Sequence, residues 1–209
     1  MTPELPPPSP ALLQRLASLA PVRTRRPLVE VAMVAMASLA AMTALLVASG
    51  VRLDARTLGV VSGSLGCALG FAVLLWWALV PPRGQVLPLR PASGRRLLVV
   101  WALMVGALLL TGHDSALEPA RLFLSRSRSC LVFGSAAAMV PALLTLLFLR
   151  RALETGGWRL GLAVGGAAGA LGGLCLELHC GNPYVAHIVV AHGGAILLPA
   201  ALGALLVRK

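Results

Sequence analysis

Hydrophobic residues dominate six long stretches of the chain, and short polar or charged segments separate these stretches. A helix needs about 20 apolar residues to cross a hydrocarbon core about 30 Å thick. No stretch shows the alternation typical of a strand, so each predicts a membrane-spanning helix, the third one short. The six predicted spans are Leu28–Ser49, Leu58–Val80, Leu97–Gly112, Leu131–Leu149, Leu160–Leu178 and Val185–Val207.

The composition supports a membrane protein. Hydrophobic residues make up 58% of the 209 residues, charged residues make up 12%, and the mean hydropathy is +0.87. The net charge of +11 is of the kind found in nucleic-acid-binding proteins. Here, however, the basic residues lie in short clusters between apolar stretches, where they set membrane orientation. We therefore expect contact with the lipid bilayer and no direct binding of DNA.

Lysine and arginine are distributed unequally between the two ends of the predicted helices. Because cytoplasmic loops are enriched in these residues, the richer side is predicted to be cytoplasmic and to hold both termini. The poorer side has five basic residues and, by this topology, all four histidines. The thirteen basic residues of the richer side are Arg15, Arg23, Arg25, Arg26, Arg83, Arg90, Arg95, Arg96, Arg150, Arg151, Arg159, Arg208 and Lys209.

The cytoplasmic N-terminal segment has a pattern of its own. Ser9 can cap a helix, Pro10 suits its first position, and Pro21 ends it. A helix this short needs a surface to lie on, either the bilayer or the groove of a partner. We therefore divide the chain into residues 1–27, with a short amphipathic helix, and residues 28–207, an all-α bundle of six transmembrane helices. The apolar face of the short helix consists of Leu12, Leu13, Leu16 and Leu19.

Small residues form a stripe along the fifth predicted span. Glycines recur there at intervals of four, a spacing that lets another helix approach closely in a membrane. This structural interpretation is favoured over a hinge or a crevice. Pro141 and Pro199 lie inside predicted spans and are interpreted as kinks tolerated by neighbouring helices. The stripe consists of Gly161, Gly165, Gly169 and Gly173.

Cysteine and histidine residues gather in "LCLELHCGNPYVAHIVVAHGG", at the outer ends of the last two spans. Cys130 and Cys180 both lie at this outer surface, where a disulfide forms if their Cα atoms come close enough. Alternatively, Cys175 and His179, four residues apart, share a helix face and can bind a metal ion or a porphyrin together with Cys180 or His192. Both interpretations stay open, as does the absence of any special role.

Glu177 is an acidic residue within a predicted span, which makes it a candidate functional group. It can equally reach the nearby water interface or pair with an arginine of the third connection (Arg121, Arg126 or Arg128). One alternative function follows from this region: a small membrane transporter or thiol-redox enzyme using Glu177, Cys175, Cys180 and His187. The absence of a CxxC motif counts against it. A purely structural membrane subunit is a further alternative.

Several segments together resemble one family of membrane proteins. They are "PVRTRRP", "VPPRG", "CLVFGSAAAMVPALLTLLFLRR" and "GLAVGGAAGALGGLCLELHC", followed by a histidine twelve residues beyond Cys180. This arrangement is similar to that of the membrane anti-sigma factors typified by the negative regulator of sigma F (NrsF). The resemblance covers nearly the whole chain and is densest from Cys130 to His192.

The resemblance implies a non-enzymatic protein of the bacterial inner membrane that holds an extracytoplasmic-function sigma factor inactive. It implies that Cys130 and Cys180 sense stress on the periplasmic side. Cys180-Gly181 replaces the Cys-Pro usual in the family, and Ala191-His192 replaces Trp-His, which affects the expected stimulus. Light-responsive regulators of carotenoid synthesis are also similar, and for them the implied signal is light acting through a porphyrin and singlet oxygen. By this resemblance the sigma-binding residues are Leu12, Leu13, Leu16, Leu19, Arg23, Arg25 and Arg26.

Overall fold

The computed structural model describes residues 9–10, 14, 26–51, 58–80, 94–110, 112 and 119–207, and nearly all of them are helical. This confirms the predicted all-α fold. The last helix contains one π-helical turn, and the fourth is interrupted at Gly157. In chain order the helices are α1 (Pro27–Ser49), α2 (Leu58–Leu79), α3 (Gly94–Leu109), α4 (Ala120–His179) and α5 (Val185–Leu206).

Among the described residues, five helical segments are long and apolar enough to cross a membrane, and they correspond to five of the six predicted spans. The sixth, Leu97–Gly112, corresponds to α3. Its 16 residues extend about 24 Å, less than the hydrocarbon core of about 30 Å. Whether α3 crosses the membrane stays a prediction, and the common side of the two termini depends on it. The five segments are Leu28–Ser49, Gly59–Ala78, Ala120–Phe148, Gly157–His179 and Val185–Leu206.

Helix α4 is a hairpin of two arms, arm 1 (Ala120–Phe148) and arm 2 (Gly157–His179). The chain stays helical beyond arm 1 until Gly157, whose φ of 65° and ψ of −178° belong to a region reserved for glycine. The arms pack antiparallel, because Gly134 approaches Leu176 while Ala138 approaches Gly172. The hairpin thus brings the beginning and the end of α4 to the same end of the bundle.

Arm 1 begins at Ala120, eleven residues before the predicted start at Leu131. Arg121, Arg126 and Arg128 therefore lie on exposed turns of the helix rather than in a loop. The prediction was wrong here because hydropathy detects the lipid-facing part of a helix. It does not detect polar turns that continue the same helix toward water.

Arm 2 is the central helix of the bundle. In its apolar stretch 89% of the residues are buried, against 17–39% in the other four segments, whose outer faces are left for lipid. The glycine stripe explains this position, because α5 lies directly along it. A Cβ at Gly161, Gly165 or Gly169 would collide with the backbone carbonyl of a residue on α5. The close approach predicted from the stripe is confirmed.

Helix α5 opens with one α-helical turn, Val185–His187, continues as a π-helical turn, Ile188–His192, and ends as the α-helix Gly193–Leu206. The N–H of Gly193 donates to the carbonyl of Ile188, the i→i+5 bond of a π turn. Such a turn stacks residues five apart, so His187 and His192 both point into the bundle and both are buried. A regular α-helix would separate them, since it repeats every 3.6 residues.

The predicted N-terminal helix lies almost entirely outside the described residues. Pro10 and Gln14 are helical and exposed, and Arg26 is exposed immediately before α1. Leu12, Leu13, Leu16, Leu19, Arg23 and Arg25 are not among the described residues.

Candidate functional site

Two thiols lie side by side at the open end of the α4 hairpin, where arm 1 begins and arm 2 ends. Cys130 is on arm 1, and Cys180 follows the last residue of arm 2, where its N–H donates to the carbonyl of Leu176. The thiol of Cys130 donates to the sulfur of Cys180 over 3.4 Å. The structure thus brings together the two cysteines that the sequence places at the same surface, and it shows them as two reduced sulfurs in contact.

His187 joins this thiol pair. Its Nε2 lies 3.3 Å from the sulfur of Cys180, and its Nδ1 lies 3.1 Å from the hydroxyl of Ser127 on arm 1. One ligand-type atom from each of Cys130, Cys180 and His187 lies within 4.8 Å of the other two. The three side chains form the kind of cluster that can hold a soft metal ion.

Glu177 and His192 form a buried pair next to this cluster. Nδ1 of His192 lies 2.6 Å from Oε1 of Glu177, and both side chains are almost completely inaccessible. Among the described residues, Oε2 of Glu177 and Nε2 of His192 have no hydrogen-bond partner. The rings of His187 and His192 meet edge to face, with centroids 5.8 Å apart. Glu177 therefore contacts a histidine instead of the arginines or the water suggested by its sequence position.

Hydrogen bonds hold the pKa of the Cys180 thiol well below its ordinary value. The strongest cause is the bond from Cys130, which outweighs the opposing effect of burial, and bonds with His187 and the backbone of Asn182 add to it. Each of these groups favours the thiolate over the thiol. Cys180 is therefore the nucleophilic member of the pair, since the thiolate is the reactive form of cysteine.

An open cleft of about 430 Å³ leads to the two thiols. The turn that connects α4 to α5 forms one of its walls, and the amide oxygen of Asn182 fixes this turn by accepting the N–H of Tyr184. The cleft admits a small oxidant or a metal ion to sulfurs that are otherwise largely covered. It is lined by Ser125, Arg126, Ser129, Cys130, Cys180, Gly181, Asn182, Pro183 and His187.

The metal-binding set expected from the sequence is not the set that the structure assembles. Cys175 is buried in an apolar cluster with Leu46 and Ala137. His179 stacks on Phe133 and binds the carbonyl of Gly50 at the end of α1 through Nδ1. The four-residue spacing of Cys175 and His179 was misleading because each is engaged by a different neighbour. Of the expected ligands, Cys180 and His192 do lie in this region of the bundle.

Sequence reasoning assigned His187 only to the alternative enzyme and did not identify Ser127. Ser127 gives no signal of its own in a polar run of arginines and serines. The pair His187 and His192 carries a weak signal, since histidines five apart before Gly193-Gly194 fit one face only if the helix widens.

In a comparison with known protein families, residues 16–209 match the family described as negative regulator of sigma F. No significant match was found among curated proteins or among solved structures.

Proposed function

Because the chain belongs to the family of negative regulators of sigma F, we propose that it is a membrane-bound anti-sigma factor that sequesters an extracytoplasmic-function sigma factor. The five helices able to cross a membrane anchor it, in our proposal, in the bacterial inner membrane. Residues 1–27 bind the sigma factor in the cytoplasm. The apolar face with Leu12, Leu13, Leu16 and Leu19 and the basic group Arg23, Arg25 and Arg26 make this contact.

The proposed orientation rests on charge and on the position of the cluster. Arg26, Arg95 and Arg159 are exposed at the beginnings of α1, α3 and arm 2. The hydrogen bond between His179 and Gly50 joins the ends of arm 2 and α1. Both of these ends are remote from the arginines at the beginnings of the same helices. The positive-inside rule then favours cytoplasmic termini and a periplasmic thiol cluster.

The observation that carries the sensing role is the 3.4 Å contact between the sulfurs of Cys130 and Cys180 at the end of an open cleft. An oxidant, a metal ion or light-generated singlet oxygen can change this pair chemically. Cys180 directly follows arm 2, the central helix of the bundle, so a change at Cys180 affects how arm 2 packs against its neighbours. Release requires that the two packing states differ in affinity for the sigma factor.

The sequestering role is tested by co-purification of the full-length protein, in detergent, with extracytoplasmic-function sigma factors from the same cell. We expect Leu16→Asp to abolish co-purification, because a charge on the apolar face opposes docking. Gln14→Ala, at an exposed position of the same segment, is the matched control. Failure of the unaltered protein to retain any sigma factor would exclude the proposal.

The sensing role is tested with a reporter for the released sigma factor. Cys130→Ser and Cys180→Ser should each leave the reporter repressed under the inducing stimulus. Cys175→Ser, which changes a thiol packed with Leu46 and Ala137, should respond normally. A normal response of both Cys130→Ser and Cys180→Ser would remove the pair from the sensing mechanism.

A further inference from the structure

The two buried histidines beside the thiols are oriented in the same way. His187 binds Ser127 through Nδ1 and approaches Cys180 through Nε2. His192 binds Glu177 through Nδ1, while its buried Nε2 has no hydrogen-bond partner among the described residues. Metal-binding histidines show this arrangement, in which one ring nitrogen is fixed by a carboxylate or hydroxyl and the other is left for the ion.

We propose that Cys130, Cys180, His187 and His192 form a tetrahedral Cys2His2 site for a zinc-type divalent ion, with Ser127 and Glu177 orienting the two imidazoles. Two sulfurs and two imidazole nitrogens are the ligand set that tetrahedral zinc prefers. Coordination also gives the buried Nε2 of His192 a partner. Without one, a buried polar atom costs free energy of folding.

The distances fit such an ion after small adjustments. With zinc bonds of about 2.3 Å to sulfur and about 2.0–2.1 Å to nitrogen, a tetrahedron places its sulfurs about 3.8 Å apart and sulfur about 3.6 Å from nitrogen. The distances here are 3.4 Å between the two sulfurs and 3.3 Å from Cys180 to His187, so these two edges lengthen by a few tenths of an ångström. Two imidazoles on one such ion have centroids about 5 Å apart, close to the observed 5.8 Å.

The charges balance when the ion is bound. A divalent ion displaces the proton of the Cys130 thiol, and the two thiolates of Cys130 and Cys180 neutralise the ion. Any proton on Nε2 of His192 leaves as well, and the cleft gives these protons a way to water. The carboxylate of Glu177 lies outside this neutral set of ion and thiolates and contacts Nδ1 of His192. A site that is neutral overall suits the low-dielectric interior.

Occupancy by the ion and oxidation to a disulfide exclude each other, because both use the same two sulfurs. An ion bound here would therefore change the reactivity of the pair toward oxidants. This regulatory consequence rests on the sensing role proposed above, whereas binding of the ion does not depend on it.

Titration of the purified full-length protein with Co²⁺, under a non-chelating reductant, tests the site directly. We expect one equivalent to produce the ligand-field bands of tetrahedral cobalt together with thiolate-to-cobalt charge transfer, and Zn²⁺ to abolish both. Cys130→Ser and Cys180→Ser should lose the spectrum. Glu177→Gln should weaken binding about 10–100-fold, since it removes only the orienting carboxylate charge.

Cys175→Ser and His179→Gln are the controls, because both side chains have other partners, and both should bind cobalt normally. A circular dichroism spectrum of each variant shows that its helices are intact. For His192→Gln we expect weaker binding and a changed ligand-field spectrum. Binding by the folded Cys130→Ser or Cys180→Ser variant, or an unchanged spectrum in His192→Gln, would overturn the assignment, as would absence of binding by the unaltered protein. Sigma-factor co-purification is measured separately, so failure of the metal site and failure of the anti-sigma role are distinguishable.

Discussion

Nδ1 of His192 lies 2.6 Å from Oε1 of Glu177, and less than 2% of either side chain is exposed. The two residues belong to different helices, so their contact fixes α5 against the end of arm 2. A buried polar pair of this kind is costly to break, because removing either side chain leaves the other buried without a partner.

We therefore expect Glu177→Ala to lower the free energy of unfolding by about 3–5 kcal/mol. Glu177→Gln should cost less, since an amide oxygen can still accept from His192. Thermal unfolding in detergent measures both effects. Glu30→Ala, at a partly exposed position in the first turn of α1, is the control and should change stability by no more than about 1 kcal/mol. Equal effects at Glu177 and Glu30 would contradict the buried pairing.

The glycine stripe makes a second prediction about stability. A Cβ at Gly165 would lie 2.7 Å from the carbonyl carbon of Pro199 and 2.8 Å from Cα of Ala200, both rigid backbone atoms. We expect Gly165→Ala to destabilise the protein by about 1–3 kcal/mol, because α5 must move away from arm 2.

Gly106 provides the matched control, because a Cβ on this helical glycine meets no atom within 4 Å. Gly106→Ala should be neutral or stabilising by up to about 1 kcal/mol, since alanine favours a helix over glycine. The same thermal unfolding assay compares the two variants. Similar values for both would argue against close packing of α5 on the stripe.

The lowered pKa of Cys180 predicts an unusual pH dependence of alkylation. An ordinary thiol reacts about tenfold faster for each pH unit gained below its pKa, because only the thiolate is nucleophilic. Cys180 is already a thiolate at acidic pH, so its rate with iodoacetamide should be nearly constant from about pH 5.5 to 8. Peptide mapping by mass spectrometry assigns the modified residue.

The cause of this lowered pKa is tested by two substitutions at Cys130. Cys130→Ala removes the strongest hydrogen bond to Cys180, so alkylation of Cys180 at acidic pH should slow and regain a dependence on pH. Cys130→Ser keeps a donor and should behave like the unaltered protein. An unchanged rate in Cys130→Ala would show that the bond from Cys130 is not the main cause.

Much of this fold could be predicted from sequence, because a helix that crosses the hydrocarbon core needs a long run of apolar residues. Every predicted span corresponds to a helix, although α3 is short and its crossing is untested. The stripe from Gly161 to Gly173 predicted a close helix contact without naming the partner, which the structure identifies as α5. Burial by lipid and burial by protein both favour apolar residues, so hydropathy alone could not show that arm 2 is central.

The candidate site was only partly predictable, for two physical reasons. The sequence places Cys130 and Cys180 at one surface, but their contact depends on the hairpin that closes at Gly157. The contact between Glu177 and His192 depends on the π turn in α5. The identities of these two residues do not predict that the helix widens there. Local spacing instead favoured Cys175 and His179, which a regular helix places on one face.

The last prediction concerns competition between zinc and oxidation at the thiol pair. Diamide takes two hydrogen atoms from two thiols and is reduced to a hydrazine, while the sulfurs join in a disulfide. The sulfurs of Cys130 and Cys180 must move from 3.4 Å to about 2.05 Å, a small displacement. We therefore expect rapid formation of this disulfide in the metal-free protein, detected by peptide mapping without reductant. Zinc should slow it, because a coordinated thiolate is a poorer nucleophile. In His192→Gln the disulfide should still form while protection by zinc is weakened, and protection that is unchanged in this variant would place the zinc elsewhere.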